Sequence, residues 1–428
     1  MDPDLIAFPT DCTAEEGIDL ALLALPGEHH IPLAKADLID QLALDPELAG
    51  GEADEFRQLC RLLDATLHFE YHAQLGALKA AYGPFDPDRD TQPLVKLADE
   101  EKTARLDQLF ERFTWLMERA NFRRLSRQAI ERATMGASLR GINLSVDFDV
   151  FDRLEIYCRG DSTTPFERRD WKRFWRREEI AIPAYERLVL IFRLRPGGHA
   201  LRHIDSHDVF MKLFKDIPKM DLEMLLPGTR VQMKLLDRVK IIMPTVSGLV
   251  VSAWKAFKGA LLVAAAGVYG IFALLGVTVG YGVKSFYGYL QTKQKYQLNL
   301  TESLYYQNLD NNAGVLCRLL DEAEEQENRE AVLAYWFLWR KAESQGLTES
   351  ELDERIEELL MRLVGRRVDF EVDDALDKLV RLGLATCGPD QRYRAVPIDE
   401  ALETLDRSWD NFFCYNTGES SVAERRAA

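Results

Sequence analysis

Gly259 to Val283 reads GALLVAAAGVYGIFALLGVTVGYGV, a run of twenty-five residues without a charged side chain between Lys258 and Lys284. A helix rises about 1.5 Å per residue, so about 20 residues cross a bilayer core of about 30 Å. The run is long enough to span with some tilt. This reading sets the expected fold: a mainly α membrane protein with a small α+β soluble core and a C-terminal winged-helix-like domain. The chain would be anchored through its middle.

The flanks of the run point the same way. The 428-residue chain has a formal net charge of −16, yet between residues 230 and 295 Arg230, Lys234, Arg238, Lys240, Lys255, Lys258, Lys284, Lys293 and Lys295 face a single acid, Asp237. A cationic collar on an acidic protein suits anionic lipid head groups. Lys255, Lys258, Lys284, Lys293 and Lys295 are therefore the expected contacts to membrane lipids. Gly276 and Gly280 stand four apart inside the run. Small residues at that spacing let helices approach closely in lipid, which makes the span an expected surface for self-association. Residues 241–257 are either an interfacial helix or the first arm of a hairpin with the span. The opening MDPDLIAFPTD is acidic where a secretory leader is basic. The expected location is a bacterial inner membrane with the N-terminal domain in the cytoplasm. Six cysteines without a Cys-x-x-Cys pair indicate neither a zinc site nor a disulfide framework.

Outward from the run, residues 1–140 read as a helical N-terminal domain. Phe56, Leu59, Leu63, Leu67 and Tyr71 recur at helical spacing, as do Leu106, Phe110, Phe113, Leu116 and Phe122. Residues 141–235 read as an α+β membrane-proximal domain, with strands over 148–157 and 186–194. Between those strands, GDSTTPFERRDWKRFWRREE interleaves Arg168, Arg169, Lys172, Arg173, Arg176 and Arg177 with Phe166, Trp171, Phe174 and Trp175. It reads as a loop and a short basic amphipathic helix, with a membrane-facing segment or a nucleic-acid patch as alternatives. Residues 211–227 read as a compact helical or turn segment, and Arg230 to Leu236 as a short strand. Residues 236–290 form the membrane region and 291–345 a helical segment. There DEAEEQENRE (321–330) is a charged face, followed by the apolar AVLAYWFLW (331–339).

Residues 346–412 read as helix, helix and a two-stranded wing turning at Gly388-Pro-Asp, followed by a flexible tail, 413–428. The wing unit is a poor match for DNA. Residues 349–400 hold fourteen acids against eight bases, net −6, whereas a DNA reader neutralises phosphates. Nucleic acid is not an expected partner; a protein contacting the C-terminal domain is.

Candidate chemistry is sparse. His68-Phe-Glu-Tyr-His72 misplaces its glutamate for a zinc-protease helix. His203, His207 and Asp208 fall in a dense His/Asp stretch and are the metal candidates, although histidines in a polar loop before a helix, one beginning near Asp208 and capped by Asp205 or Ser206, need no metal. No phosphate-cradling or acyl-transfer motif occurs. No catalytic residue and no cofactor are expected.

Several stretches carry a family signature: FMKLFKDIP (210–218), DLEMLLPG (221–228), DRVKIIMP (237–244), TKQKY (292–296), LYYQNLDNN (304–312), LDEAEEQE (320–327) and AYWF (334–337). Over roughly residues 145–340 the chain resembles the DUF3754 family, which includes transmembrane protein 143. The resemblance implies a membrane protein with one or two spans and carries over no reaction. It singles out Asp310, Asn311 and Asn312, beside the cationic collar, as groups that bind a head group or cation or hydrogen-bond the soluble core. The expected role is a membrane-anchored scaffold or regulatory protein that forms an oligomer. An oligomeric ion or small-solute conduit is the first alternative, and a membrane-associated metal-dependent enzyme the second.

Overall fold

The computed structural model describes residues 27–46, 48, 50–92, 94, 97–130, 143–170, 176–196, 206–219, 222, 225–227, 230–232, 305–342 and 345–413. Helices α1 (Lys35–Ala43), α2 (Glu52–Tyr82) and α3 (Asp99–Arg119) come first. Strands β1 (Arg123–Arg124), β2 (Asn143–Ser145), β3 (Phe151–Asp170), β4 (Arg176–Leu194), β5 (Val209–Pro218), β6 (Arg230–Gln232) and β7 (Asn308–Asn311) follow. The chain then forms α4 (Ala313–Arg340), α5 (Glu349–Val364), α6 (Val372–Arg381), β8 (Ala385–Cys387), β9 (Tyr393–Ala395) and α7 (Ile398–Asp410).

The centre is an antiparallel five-stranded sheet in the order β1-β3-β4-β5-β7. Alternation along β4 explains its unbroken Leu188–Phe192 run. Val189 and Ile191 pack toward α2, α3 and the first half of α4, while Leu188, Leu190 and Phe192 pack with Phe214, Ile217 and Leu222 on the opposite face. Both faces are covered, so both registers of the strand are apolar. β3 and β4 continue beyond the sheet. From Thr163↔Pro183 to Asp170↔Arg176 they pair only with each other among the described residues. Strand replaces the expected loop and basic helix over 160–170 and 176–179, while residues 171–175 lie outside the described residues. β5 likewise replaces the expected helical or turn segment after Met211. β2 pairs with β6 in a separate two-stranded ladder, which agrees with a strand beginning at Arg230.

α4 is the spine. At about 1.5 Å per residue its 28 residues run about 42 Å. Its first half packs Val315, Leu316, Leu319 and Leu320 on the sheet. Its second half, Ala331 to Leu338, is buried with α1, the start of α2, α5, α6 and α7. The C-terminal elements follow winged-helix order: helix (the second half of α4), a one-residue bridge strand at Leu347 against Tyr393, α5, α6 and the β8–β9 wing. Local chemistry sets the limits of α5. Thr348 and Glu351 form a reciprocal capping box, and Gly365 closes the helix at φ 73°, in the left-handed region that favours glycine.

The expected membrane architecture is corrected here. Among the described residues no helix is long and apolar enough to cross a membrane. The most apolar helical stretch, Ala331 to Leu338, continues a charged one and is buried inside protein. The run 259–283, its proposed hairpin arm 241–257, and Lys255, Lys258, Gly276, Gly280, Lys284, Lys293 and Lys295 lie outside the described residues. The inner-membrane location and the membrane scaffold, conduit and membrane-enzyme roles lose their support with it.

Candidate functional site

DEAEEQENRE is not a solvated face. Glu324, Gln326, Glu327, Asn328, Arg329 and Glu330 are all buried, at the waist of α4 between its two apolar halves. A charge survives burial only with partners, and four neighbouring elements supply them. From α2, His68 Nδ1 lies 3.0 Å from Glu324, and Asp64 accepts from Asn328 Nδ2 at 3.2 Å. From the segment before α1, the carbonyl of His29 accepts from Gln326 Nε2 at 3.2 Å, Ile31 N donates to Gln326 Oε1 at 3.2 Å, and the carbonyl of Leu33 accepts from Arg329 at 3.1 Å. From the end of α3, Arg119 bonds Glu327 at 3.0 Å and also pairs with Asp374. From α6, Lys378 pairs with Glu327 and lies 3.6 Å from both Glu330 and Asp374.

Lys378 is the pivot. It is 5 % exposed, yet three carboxylates surround it. Burial alone would lower its pKa; Glu330, Glu327 and Asp374 outweigh that and raise it. Burial would raise Asp374, but Lys378 and Arg119 hold it below the usual carboxylate value. Glu330 goes the other way. Burial pushes it up to about 8, against the pull of Lys378 and with Glu327 adding to the rise. Its Oε1 accepts from Gln326 Nε2 at 2.7 Å and from Asn121 Nδ2 at 3.3 Å. At neutral pH Glu330 is then protonated, and Lys378 and Arg119 face the Glu327 and Asp374 carboxyls. His30, on the same waist, is pushed down to about 2 by burial and by Arg159, Arg329 and Arg366, so it is neutral.

The oxygens of Glu327, Glu330 and Asp374 lie within 4.8 Å of one another, a spacing that could hold a metal ion. The donor set does not favour one. The Lys378 ammonium sits among these oxygens and Arg119 takes two of the three groups. The chemistry of the cluster is that of a closed ionic joint tying α3, α4 and α6 together. Nothing in hydropathy marks it. The one legible hint is Lys378 itself, which borders the apolar stripe Val372, Ala375, Leu376 and Leu379 of α6.

This joint decides what α6 can present. Its outward residues are Asp373, Asp377, Val380 and Arg381. Arg381 is held by Glu70 of α2 through two bonds, at 2.7 and 3.0 Å. The helix that precedes the wing, the position a winged-helix reader would place in a groove, therefore offers two free-facing aspartates and no unengaged cation.

The metal candidates do not converge in the described part of the chain. His203 lies outside the described residues. His207 is exposed and Asp208 half-buried in the turn before β5, and no metal-capable group among the described residues includes either. Asp310, Asn311 and Asn312 do come together, at the junction of β7 with α4. Asn312, at φ 49°, receives Met211 N on Oδ1 at 3.1 Å, donates its own N–H to the Met211 carbonyl at 2.8 Å, and donates Nδ2 to Asp88. Lys212 donates to Asn311 at 2.9 Å. The Asp310 carboxylate packs so closely over Gly314 that a Cβ there would lie 2.0 Å from its oxygen. These groups weld the spine helix to the edge of the sheet.

No solved structure matches the chain. Residues 185–314 match the family described as "Protein of unknown function (DUF3754)". That segment takes in most of β4, all of β5 and β7, and the Asp310–Asn312 junction, and stops as α4 begins. Over those residues the chain is similar to the DUF3754 family.

Proposed function

We propose that this chain is a protein-binding module whose winged-helix-like unit serves protein contact and not nucleic-acid reading. The observation that carries the reading is the fate of the α6 cations: Lys378 is buried among Glu327, Glu330 and Asp374, and Arg381 is engaged by Glu70. Phosphate neutralisation supplies most of the affinity of a nucleic-acid reader, and the exposed Asp373 and Asp377 would oppose it. Acidic α-helical faces suit basic protein surfaces, where complementary potential steers encounter and rejects wrong partners.

The test compares the full chain with a D373K/D377K variant. Both positions are exposed, so folding should be unchanged by circular dichroism and thermal melting. Quantitative co-purification should show a partner set held by the wild type and lost at least several-fold by the variant. An identical set on both proteins, or wild-type material that carries stoichiometric nucleic acid, overturns the reading.

A further inference from the structure

Three strands of the central sheet place cations side by side. The register sets Arg159 of β3 opposite Arg187 of β4, and Arg187 opposite Lys215 of β5. Directly opposed residues share a sheet face, and like charges there repel one another. The face is the one that α4 covers. Two residues away along each strand, the row Tyr157, Val189 and Leu213 packs with Leu316, Leu319 and Leu320. α4 also brings the partly exposed Arg318 and one acid, Glu322. Glu322 accepts from Arg159 Nη2 at 2.7 Å and from Arg318 Nε at 3.4 Å, so both of its oxygens are engaged.

Arg187 and Lys215 have no such counterpart. Arg187 is half-buried; its Nη1 donates to the Glu186 carbonyl at 3.1 Å, and its Nε is buried with no acceptor. The Glu186 carboxylate is held by Arg366 at 2.9 Å. Among the described residues no carboxylate pairs with Arg187 or with Lys215. Burial lowers the pKa of Arg159, and the charge of Arg187 adds to the fall against the pull of Glu322. Four cations against Glu322 make a local charge of +3 in a chain of −16.

We infer that this row is a binding site for a phosphate group carried by a small molecule. The Arg187 fork can grip two phosphate oxygens, Lys215 supplies a point charge beside it, and Arg159 stays fixed by Glu322 as the wall. A phosphate monoester, with about −1.5 to −2 charges at neutral pH, answers a +3 row better than a carboxylate does. The inference goes beyond the protein-contact reading and uses a different surface.

Calorimetric titration of the full chain with inorganic phosphate, and thermal melting in phosphate against chloride of equal ionic strength, test it. The wild type should bind one phosphate per chain with a Kd below about 1 mM, and about 10 mM phosphate should raise its Tm by about 3 °C. R187M keeps an apolar stem and removes the charge. It should melt at or above the wild type in chloride, because an opposed cation without an anion is gone, and it should gain nothing from phosphate. K215M should weaken phosphate binding at least ten-fold. R61M, which removes an exposed arginine from α2, should bind as the wild type does. The proposal is overturned by a wild type without saturable binding, by an R61M loss equal to that of R187M, or by an R187M less stable by the same margin in both buffers. The protein-contact reading fails separately, through D373K/D377K, which leaves this row untouched.

Discussion

Replacing Glu330 with Gln should change how stability depends on pH more than it changes stability itself. Burial lifts the folded-state pKa of Glu330 from 4.5 to about 8. Between those values the unfolded chain has released the proton and the folded protein retains it, so stability falls as pH rises, by about 1.4 kcal/mol per pH unit. His30 acts in the opposite sense, because its folded pKa drops from 6.5 to about 2. Through that window the unfolded chain binds the extra proton, so stability is lost as pH falls. The two slopes cancel between pH 4.5 and 6.5. From 6.5 to about 8 Glu330 acts without the opposing His30 slope, over about 1.5 pH units, and its own contribution to the loss is on the order of 2 kcal/mol. A carboxamide keeps the acceptor for Gln326 and Asn121 and cannot ionise. Urea denaturation of wild type and E330Q at pH 6.5, 7.25 and 8 reads the effect, and their difference cancels every titrating group the two proteins share. The wild type should lose about 2 kcal/mol relative to E330Q across the series. A difference that stays constant with pH, or one that grows in favour of the wild type, refutes the protonated Glu330 and the charge balance built on it.

Two further substitutions probe the frame. K378M should cost about 3–5 kcal/mol, because it leaves the buried Glu327 and half-buried Asp374 with Arg119 as their remaining strong cation; chemical denaturation measures this, and a loss below about 1 kcal/mol would mean the joint is ornamental. G160A should cost about 2–3 kcal/mol, since Gly160 sits at φ 74° and an added Cβ would come 2.5 Å from Glu186 Oε2; a melting temperature equal to that of wild type would contradict the close packing that lets Glu186 bond Arg366 at 2.9 Å.

Local rules made much of this fold readable and left its waist hidden. The stripe of Phe56, Leu59, Leu63 and Leu67 announces α2, and Gly388-Pro-Asp announces the wing, because each is decided within a few residues. β5 misleads for a local reason as well. Asp216 takes φ 51° and drops out of the β4 register, so Phe214 and Ile217, three apart as on a helix, share one sheet face. The ionic joint is invisible for a different reason. Arg119, Glu327 and Lys378 are brought together by tertiary packing across more than two hundred residues, and a charged decapeptide on a long helix ordinarily means solvent. The apolar run at 259–283 dominates a reading by composition, yet the described helices owe their apolar faces to the sheet and to one another.

The central claim is that α6 has no cation to spare for phosphate. Fluorescence anisotropy of labelled duplex DNA and duplex RNA, titrated with the full chain at about 50 mM salt, where phosphate contacts are strongest, tests it most directly. The account predicts no saturable binding to either duplex up to tens of micromolar protein. Saturable binding that weakens with salt and survives R169E/R177E, but is lost when Lys378 or Arg381 is replaced, would contradict it.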